Sequence, residues 1–289
     1  MPFLGFFDYT SSGKGVAKNA PEKKPFFKFW ELFARKFWKF FQINLIYFFF
    51  CLPVVTIGPA TVAMCQVMRK FTLEKPIFLF DEFFTAFKKN FKQGLIIGLI
   101  DIFFTIAFVF SFLHYYFLMS ADMSLSNIAL TSVTLASGAY ILMMHFYIYP
   151  QIAALNLSLV QIIKNSFFLT VLGIKSNIVT LLVTIAVLTV MFATFTFSVL
   201  LLPILPMAWL CFLSVFNSYP VIQKYIINPY YEKRGERNPE IPDYSRSDDK
   251  NEEPLFEDFG GREAAFKAEK NKNKSKAKSI AKPKGKIIK

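Results

Sequence analysis

The sequence is short of charge where its uninterrupted stretch is longest. Between Gln93 and Gln223, 131 residues carry four charged side chains: Asp101, Asp122, Lys164 and Lys175. A water-soluble domain of that size needs far more charge on its surface, so that solvent environment is excluded. Cysteine is equally scarce. Cys51, Cys65 and Cys211 are the only three, all within apolar runs. Their spacing gives neither a disulfide framework nor a metal-ligand pattern, and they read as small buried hydrophobes. The two histidines, His114 and His145, stand 31 residues apart on neighbouring apolar stretches. Without a carboxylate or thiol set beside them they make a poor metal site, and they read as hydrogen-bonding residues between helices or at an interface. No phosphate-binding loop is present, since Gly13-Lys14-Gly15 lacks the upstream glycine and strand. No serine occupies a Gly-x-Ser-x-Gly elbow. These absences argue against an enzyme and leave no cofactor to expect.

What fills the space is hydrophobic residue, 54% of 289, with 37 Phe. A helix crosses about 30 Å of hydrocarbon with roughly 20 apolar residues. Long, non-alternating runs such as Leu45–Val55, Leu95–Leu113 and Val179–Leu205 fit helices rather than barrel strands. A helix also satisfies its own backbone in lipid, as irregular chain cannot. The expected class is an all-α polytopic membrane protein. Full transmembrane helices are predicted over residues 38–56, 94–118, 127–150, 177–200 and 203–222. The stretch 59–72 is short for a span and reads as a short or re-entrant helix.

The remaining charges set the topology. Basic residues outnumber acids 8 to 3 in residues 1–40, 6 to 3 in 69–92 and 17 to 12 in 221–289. Basic loops face the cytoplasm, whereas the 119–126 loop has only Asp122 and faces outward. The N-terminus and the 69–92 loop can share a side only if 38–72 enters and returns, with its turn at Gly58 and Pro59. Three helical hairpins follow, near 37–72, 93–165 and 175–226, with both termini cytoplasmic. A faint internal repeat, Pro59-Ala60-Thr61-Val62-Ala63-Met64 against Pro150-Gln151-Ile152-Ala153-Ala154-Leu155, accompanies them.

Three domains are expected: an irregular lead-in over 1–25, a membrane helical domain over 26–229, and a disordered charged tail over 230–289 that is basic from 262. Phe26–Phe41 interleaves aromatic and basic residues as an interfacial helix does. Phe78–Phe91 gathers Phe80, Phe83, Phe84, Phe87 and Phe91 on one face and reads as a helix lying in the interface plane. The tail has too little apolar content to fold. Its lysines suit anionic lipid headgroups. With no aromatic side chain in its last 23 residues to stack on bases, no specific nucleic acid is expected.

Asp101 is the one ionisable residue well inside a span. An acid there faces the bundle interior, either paired with a cation or hydroxyl or lining a solute route. Asn44, Gln66 and Asn156 are further polar candidates at similar depth. Together they would line one pocket, or singly bond helices to one another.

Several stretches resemble the YesL family of bacterial membrane proteins. They are Phe6-Phe7-Asp8-Tyr9-Thr10, Gly13 through Pro21, Phe33 through Lys39, the run Cys51-Leu52-Pro53-Val54-Val55-Thr56-Ile57-Gly58-Pro59-Ala60-Thr61, and Ala86 through Gly94. The resemblance covers roughly residues 1–230 and leaves the basic tail outside. It implies a bacterial plasma-membrane protein with no established activity and no catalytic residues to carry over, in a domain family often found near carbohydrate uptake systems. Two functions follow as expectations. One is a non-enzymatic accessory component associated with carbohydrate uptake, with transporter subunits as partners. The alternative is a transporter or channel for a small solute with a polar route near Asp101. The N-terminal Gly13 and Gly15, with Lys14, Lys18, Lys23 and Lys24, read either as a phosphate-holding segment or as a plain lead-in.

Overall fold

A computed structural model describes residues 24–195 and 205–241. All its regular elements are helices: α1 (Pro25–Arg35), α2 (Phe37–Cys51), α3 (Ile57–Thr72), α4 (Leu79–Lys89), α5 (Phe91–Ala121), α6 (Leu125–Ala154), α7 (Leu159–Leu172), α8 (Ile174–Ala193), α9 (Pro206–Ile222) and α10 (Asn228–Glu232). A single 3₁₀ turn, Val54–Thr56, precedes α3, and a π-helical turn, Gln223–Ile227, joins α9 to α10. The N-terminal motif and the basic part of the tail lie outside the described residues.

The chain divides into two compact units, Met1–Phe37 and Trp38–Lys289. In the first, Pro25 opens α1, where its fixed φ suits a helix start. Phe26, Trp30, Phe33 and Phe37 follow one another at helical spacing, each ring edge-on to the next at 5.8–6.4 Å. This is the aromatic seam that the sequence pattern predicts.

In the second unit, α5, α6 and α8 are long and apolar enough to cross a membrane, at 31, 30 and 20 residues. At 1.5 Å per residue they extend about 46, 45 and 30 Å. Their outer faces carry Phe103, Phe110, Phe117, Val133, Leu182 and Phe192, all exposed. So much apolar surface is stable only in a hydrocarbon solvent. The chain is a helical membrane protein. The other two predicted spans are realised as shorter helices, α2 with 15 residues and α9 with 17.

The helix at the centre is α3. Twelve of its 16 residues are buried, from Gly58 to Phe71, and it packs against α4, α5, α6 and α9. A helix of about 24 Å is too short to span lipid by itself. Here protein surrounds it, so its ends need not reach either interface. The turn before it falls earlier than the sequence reading places it. Residues 52–56 make the turn, while Gly58 and Pro59 are helical and buried. Pro59 is tolerated because the first helical N–H groups have no intrahelical acceptor anyway. Gly58 has a different task. A Cβ on it would stand 2.1 Å from the Gly94 carbonyl oxygen and 2.8 Å from Gly98 Cα. The absent side chains of Gly58, Gly94 and Gly98 let the backbones of α3 and α5 touch, the use of a Gly-xxx-Gly face in membranes.

Helix α4 is amphipathic as predicted, with Asp81 and Glu82 in its first turn and Lys88 and Lys89 in its last, which suits the helix dipole. Its aromatic face meets protein as well as surroundings. Phe50 of α2 lies 4.9–5.6 Å from the Phe83, Phe84 and Phe87 rings, and Phe83 is fully buried, whereas Phe80 is exposed. Residues 230–241, expected to be without structure, are ordered. α10 ends in a Schellman turn, with Gly235 at φ 64° and the Glu236 and Gly235 amides bonded back to Tyr231 and Glu232. That reversal brings the chain back onto the bundle, and Asn238 and Glu240 are buried there.

Candidate functional site

Asp101 of α5 faces α6. Its Oδ1 lies 2.8 Å from His145 Nε2, and Tyr149 donates its hydroxyl hydrogen to Oδ2. His145 and Tyr149 are one helical turn apart, so both reach the same carboxylate. The pairing supplies what an acid in an apolar span requires, hydrogen-bonded partners that offset its desolvation. The side chains remain slightly accessible, 16% for Asp101 and 24% for His145.

The geometry fixes a proton count. His145 Nδ1 sits 2.8 Å from the Ile141 carbonyl oxygen. A carbonyl only accepts, so Nδ1 carries a hydrogen. A bare Nε2 lone pair aimed at a carboxylate would repel it, so one further proton lies between Nε2 and Oδ1. Whichever atom holds it, the Asp101–His145–Tyr149 cluster is neutral overall. Asp101→Asn is expected to cost about 1–3 kcal/mol of stability and Tyr149→Phe about 0.5–1.5 kcal/mol, as hydrogen bonds of these classes do. Thermal unfolding in detergent measures both.

Asn44 and Gln66 bond elsewhere and Asn156 lies exposed between helices, so the four do not form one pocket. Asn44 is fully buried and its Oδ1 accepts from the Ala208 amide at 2.8 Å. It satisfies one of the first-turn N–H groups of α9, which have no intrahelical acceptor. Gln66 donates to Glu82 of α4 at 2.8 Å, and Lys70 pairs with the other oxygen of the same carboxylate. Asn156 is exposed in the link between α6 and α7, not at the depth its position in the sequence suggests. Tyr149 is the member that sequence reasoning missed. Its signal was present, a His and a Tyr four residues apart in an apolar span opposite a lone acid.

A second polar cluster closes the end of the bundle where α3 and α9 finish. Arg69 is 3% exposed, and its Nη1 lies 3.3 Å from Glu240 Oε1. Tyr219 donates to Glu240 Oε2 at 2.7 Å and Gln223 Nε2 at 3.0 Å. From its place beside Lys70, Arg69 reads as a loop charge at an interface. The structure makes it an interior residue. A third feature is apolar. Met144 of α6 with Val160, Ile163, Lys164, Phe167 and Phe168 of α7 lines an open lateral groove of about 440 Å³. Tyr140 shapes its edge by bonding the Phe167 carbonyl at 2.9 Å.

A family described as "Protein of unknown function, DUF624" matches residues 40–112. That stretch holds α2, α3, α4 and most of α5, and with them Asn44, the glycine contact, Gln66, Arg69 and Asp101. His145, Tyr149 and Glu240 lie beyond it. The description assigns no activity. No curated protein and no solved structure matches the chain. Among the described residues no three His, Cys, Asp or Glu side chains converge as a metal site requires.

Proposed function

We propose that this protein is a non-enzymatic accessory component of a bacterial plasma-membrane assembly, associated with carbohydrate uptake, and that it holds a partner's transmembrane helix in the groove between α6 and α7. The groove carries the reading. Its wall is apolar apart from Lys164, so the occupant is an apolar helix bearing one acid at the level of that ammonium group. Central packing around α3 supports a scaffold, since its buried residues leave it fixed among four neighbours. The link to carbohydrate uptake rests on the resemblance to the YesL family.

In this reading α2 and α9 join α5, α6 and α8 to give five crossings, with α3 re-entrant, arranged as three hairpins with both termini cytoplasmic. Contacts between Phe40 and Phe71, Tyr47 and Thr61, and Asn217 and Thr180 support the first and last pairs. Tags at both termini are expected to be labelled only from the inner side of right-side-out vesicles after permeabilisation. An externally labelled N-terminus would refute the first hairpin.

The test is purification after mild detergent extraction. Transporter subunits are expected to accompany the tagged wild-type chain. Val160→Trp combined with Ile163→Trp fills the groove without adding charge and is expected to cut that recovery at least about tenfold, the effect of losing a central anchor. A chain that purifies alone and moves solute in vesicles would overturn the proposal. That outcome belongs to the alternative, a small-solute transporter, which the neutral and slightly accessible Asp101 cluster favours. Asp101→Asn would then abolish flux.

A further inference from the structure

The Glu240 carboxylate sits in a socket made by the rest of the chain. Three donors converge on it: Arg69 Nη1 at 3.3 Å on Oε1, with Tyr219 Oη at 2.7 Å and Gln223 Nε2 at 3.0 Å on Oε2. They come from α3, from α9 and from the π-helical turn that follows α9. Such turns are rare and are found frequently at functional sites. The guanidinium lies over the Tyr219 ring, 5.7 Å from its centroid, and its Nη1 also donates to the Tyr219 hydroxyl at 3.3 Å. Toward Glu240 the socket presents donors and positive charge, which is the chemistry of an oxyanion site.

The segment that fills this socket is held by polar contacts. From Lys233 to Ile241 the only buried side chains are Asn238 and Glu240. Asn238 bonds Asn228 at 2.8 Å and receives the Glu240 amide at 2.9 Å. Pro239 and Ile241 are exposed. A segment without an apolar anchor opens locally far more readily than the helices beneath it. The three contacts that the Glu240 carboxylate makes are also ones that another oxyanion can replace one for one.

We infer that Arg69, Tyr219 and Gln223 form an oxyanion-binding site which the chain occupies with its own Glu240, and that residues 233–241 are a latch displaced when an external carboxylate or phosphate takes the socket. The charged tail begins directly after the latch, so its tether point shifts when the latch opens.

Lys233, Arg234 and Arg237 make the latch a trypsin substrate, and cleavage there requires it to open. The experiment uses the full chain in lipid nanodiscs. Glu240→Gln keeps the shape of the side chain and removes its charge. Cleavage within 233–237 is expected to accelerate at least about tenfold, because it tracks the open population. Inorganic phosphate or acetate is expected to accelerate cleavage of the wild type saturably, while chloride at the same ionic strength does not. Whichever of the two acts at lower concentration separates a phosphate source from a carboxylate source. In Glu240→Gln the same anion is expected to raise the unfolding temperature. Tyr219→Phe, which removes one donor to the anion and the hydroxyl that accepts from Arg69 Nη1, is expected to weaken that response. Equal cleavage of Glu240→Gln and wild type overturns the inference, as does an effect of phosphate and acetate no greater than that of chloride.

Discussion

Replacing Arg69 by Ala is expected to disfavour the closed position of residues 233–241 by about 3–5 kcal/mol, because in that position it leaves a buried carboxylate with its counter-charge removed. Glu240 is buried, its side chain only 3% exposed. Tyr219 and Gln223 still donate to one of its oxygens, and these two neutral donors do not replace the guanidinium. The rate of tryptic cleavage within 233–237 measures the loss. Arg69→Lys is expected to recover only part of it, since an ammonium group cannot reproduce the planar fork. The double replacement Arg69→Met with Glu240→Leu tests the physical cause. With both charges removed the desolvation penalty disappears as well, and the pair is expected to be far less destabilised than Arg69→Ala alone. If the double variant is as unstable as the single one, packing rather than uncompensated charge explains the effect.

Adding one methyl group at Gly58 is expected to be the other large effect. The new Cβ would lie 2.1 Å from a backbone carbonyl oxygen of α5, and neither backbone can rotate away as a side chain can. Helix propensity favours Ala over Gly by up to about 1 kcal/mol. Overpacking costs about 1–3 kcal/mol or more, so the net change is a loss. Gly94→Ala and Gly98→Ala meet α3 backbone at 2.8 Å and are expected to lose less than Gly58→Ala. Since these glycines touch one another, the first substitution separates the helices and the second then costs less than it does alone. Gly138→Ala is the contrast. Its Cβ would approach only the Phe108 ring, which can change rotamer, so a much smaller loss is expected. Comparable loss at Gly138 and Gly58 would mean that backbone contact is not what the glycines provide.

Much of this architecture is legible in the residues themselves. Asp101 stood out because a lone acid in an apolar run must find partners, and it does. Pro59 misled the placement of the turn, since the same residue that breaks a helix interior is compatible with its first turn. Gly94-Leu95-Ile96-Ile97-Gly98 carried a readable spacing whose partner, Gly58, stands 36 residues before Gly94. Asn156 follows an apolar stretch, but linear position there does not give depth, and the residue is exposed between α6 and α7.

By itself the sequence determined the solvent. Runs without charge longer than a bilayer is thick have to be helices in lipid, whatever they pack against, because the backbone must satisfy itself. It also determined that α1 and α4 are amphipathic, as periodicity is a local property. The tertiary structure alone decided which polar groups meet. Asp101 and His145 are 44 residues apart and Arg69 and Glu240 are 171. In an apolar bundle such pairs form because a buried polar group left without a partner is costly and few neighbours offer one. Nothing in local sequence encodes that choice, so a basic residue beside a loop became the centre of the most buried ion pair among the described residues.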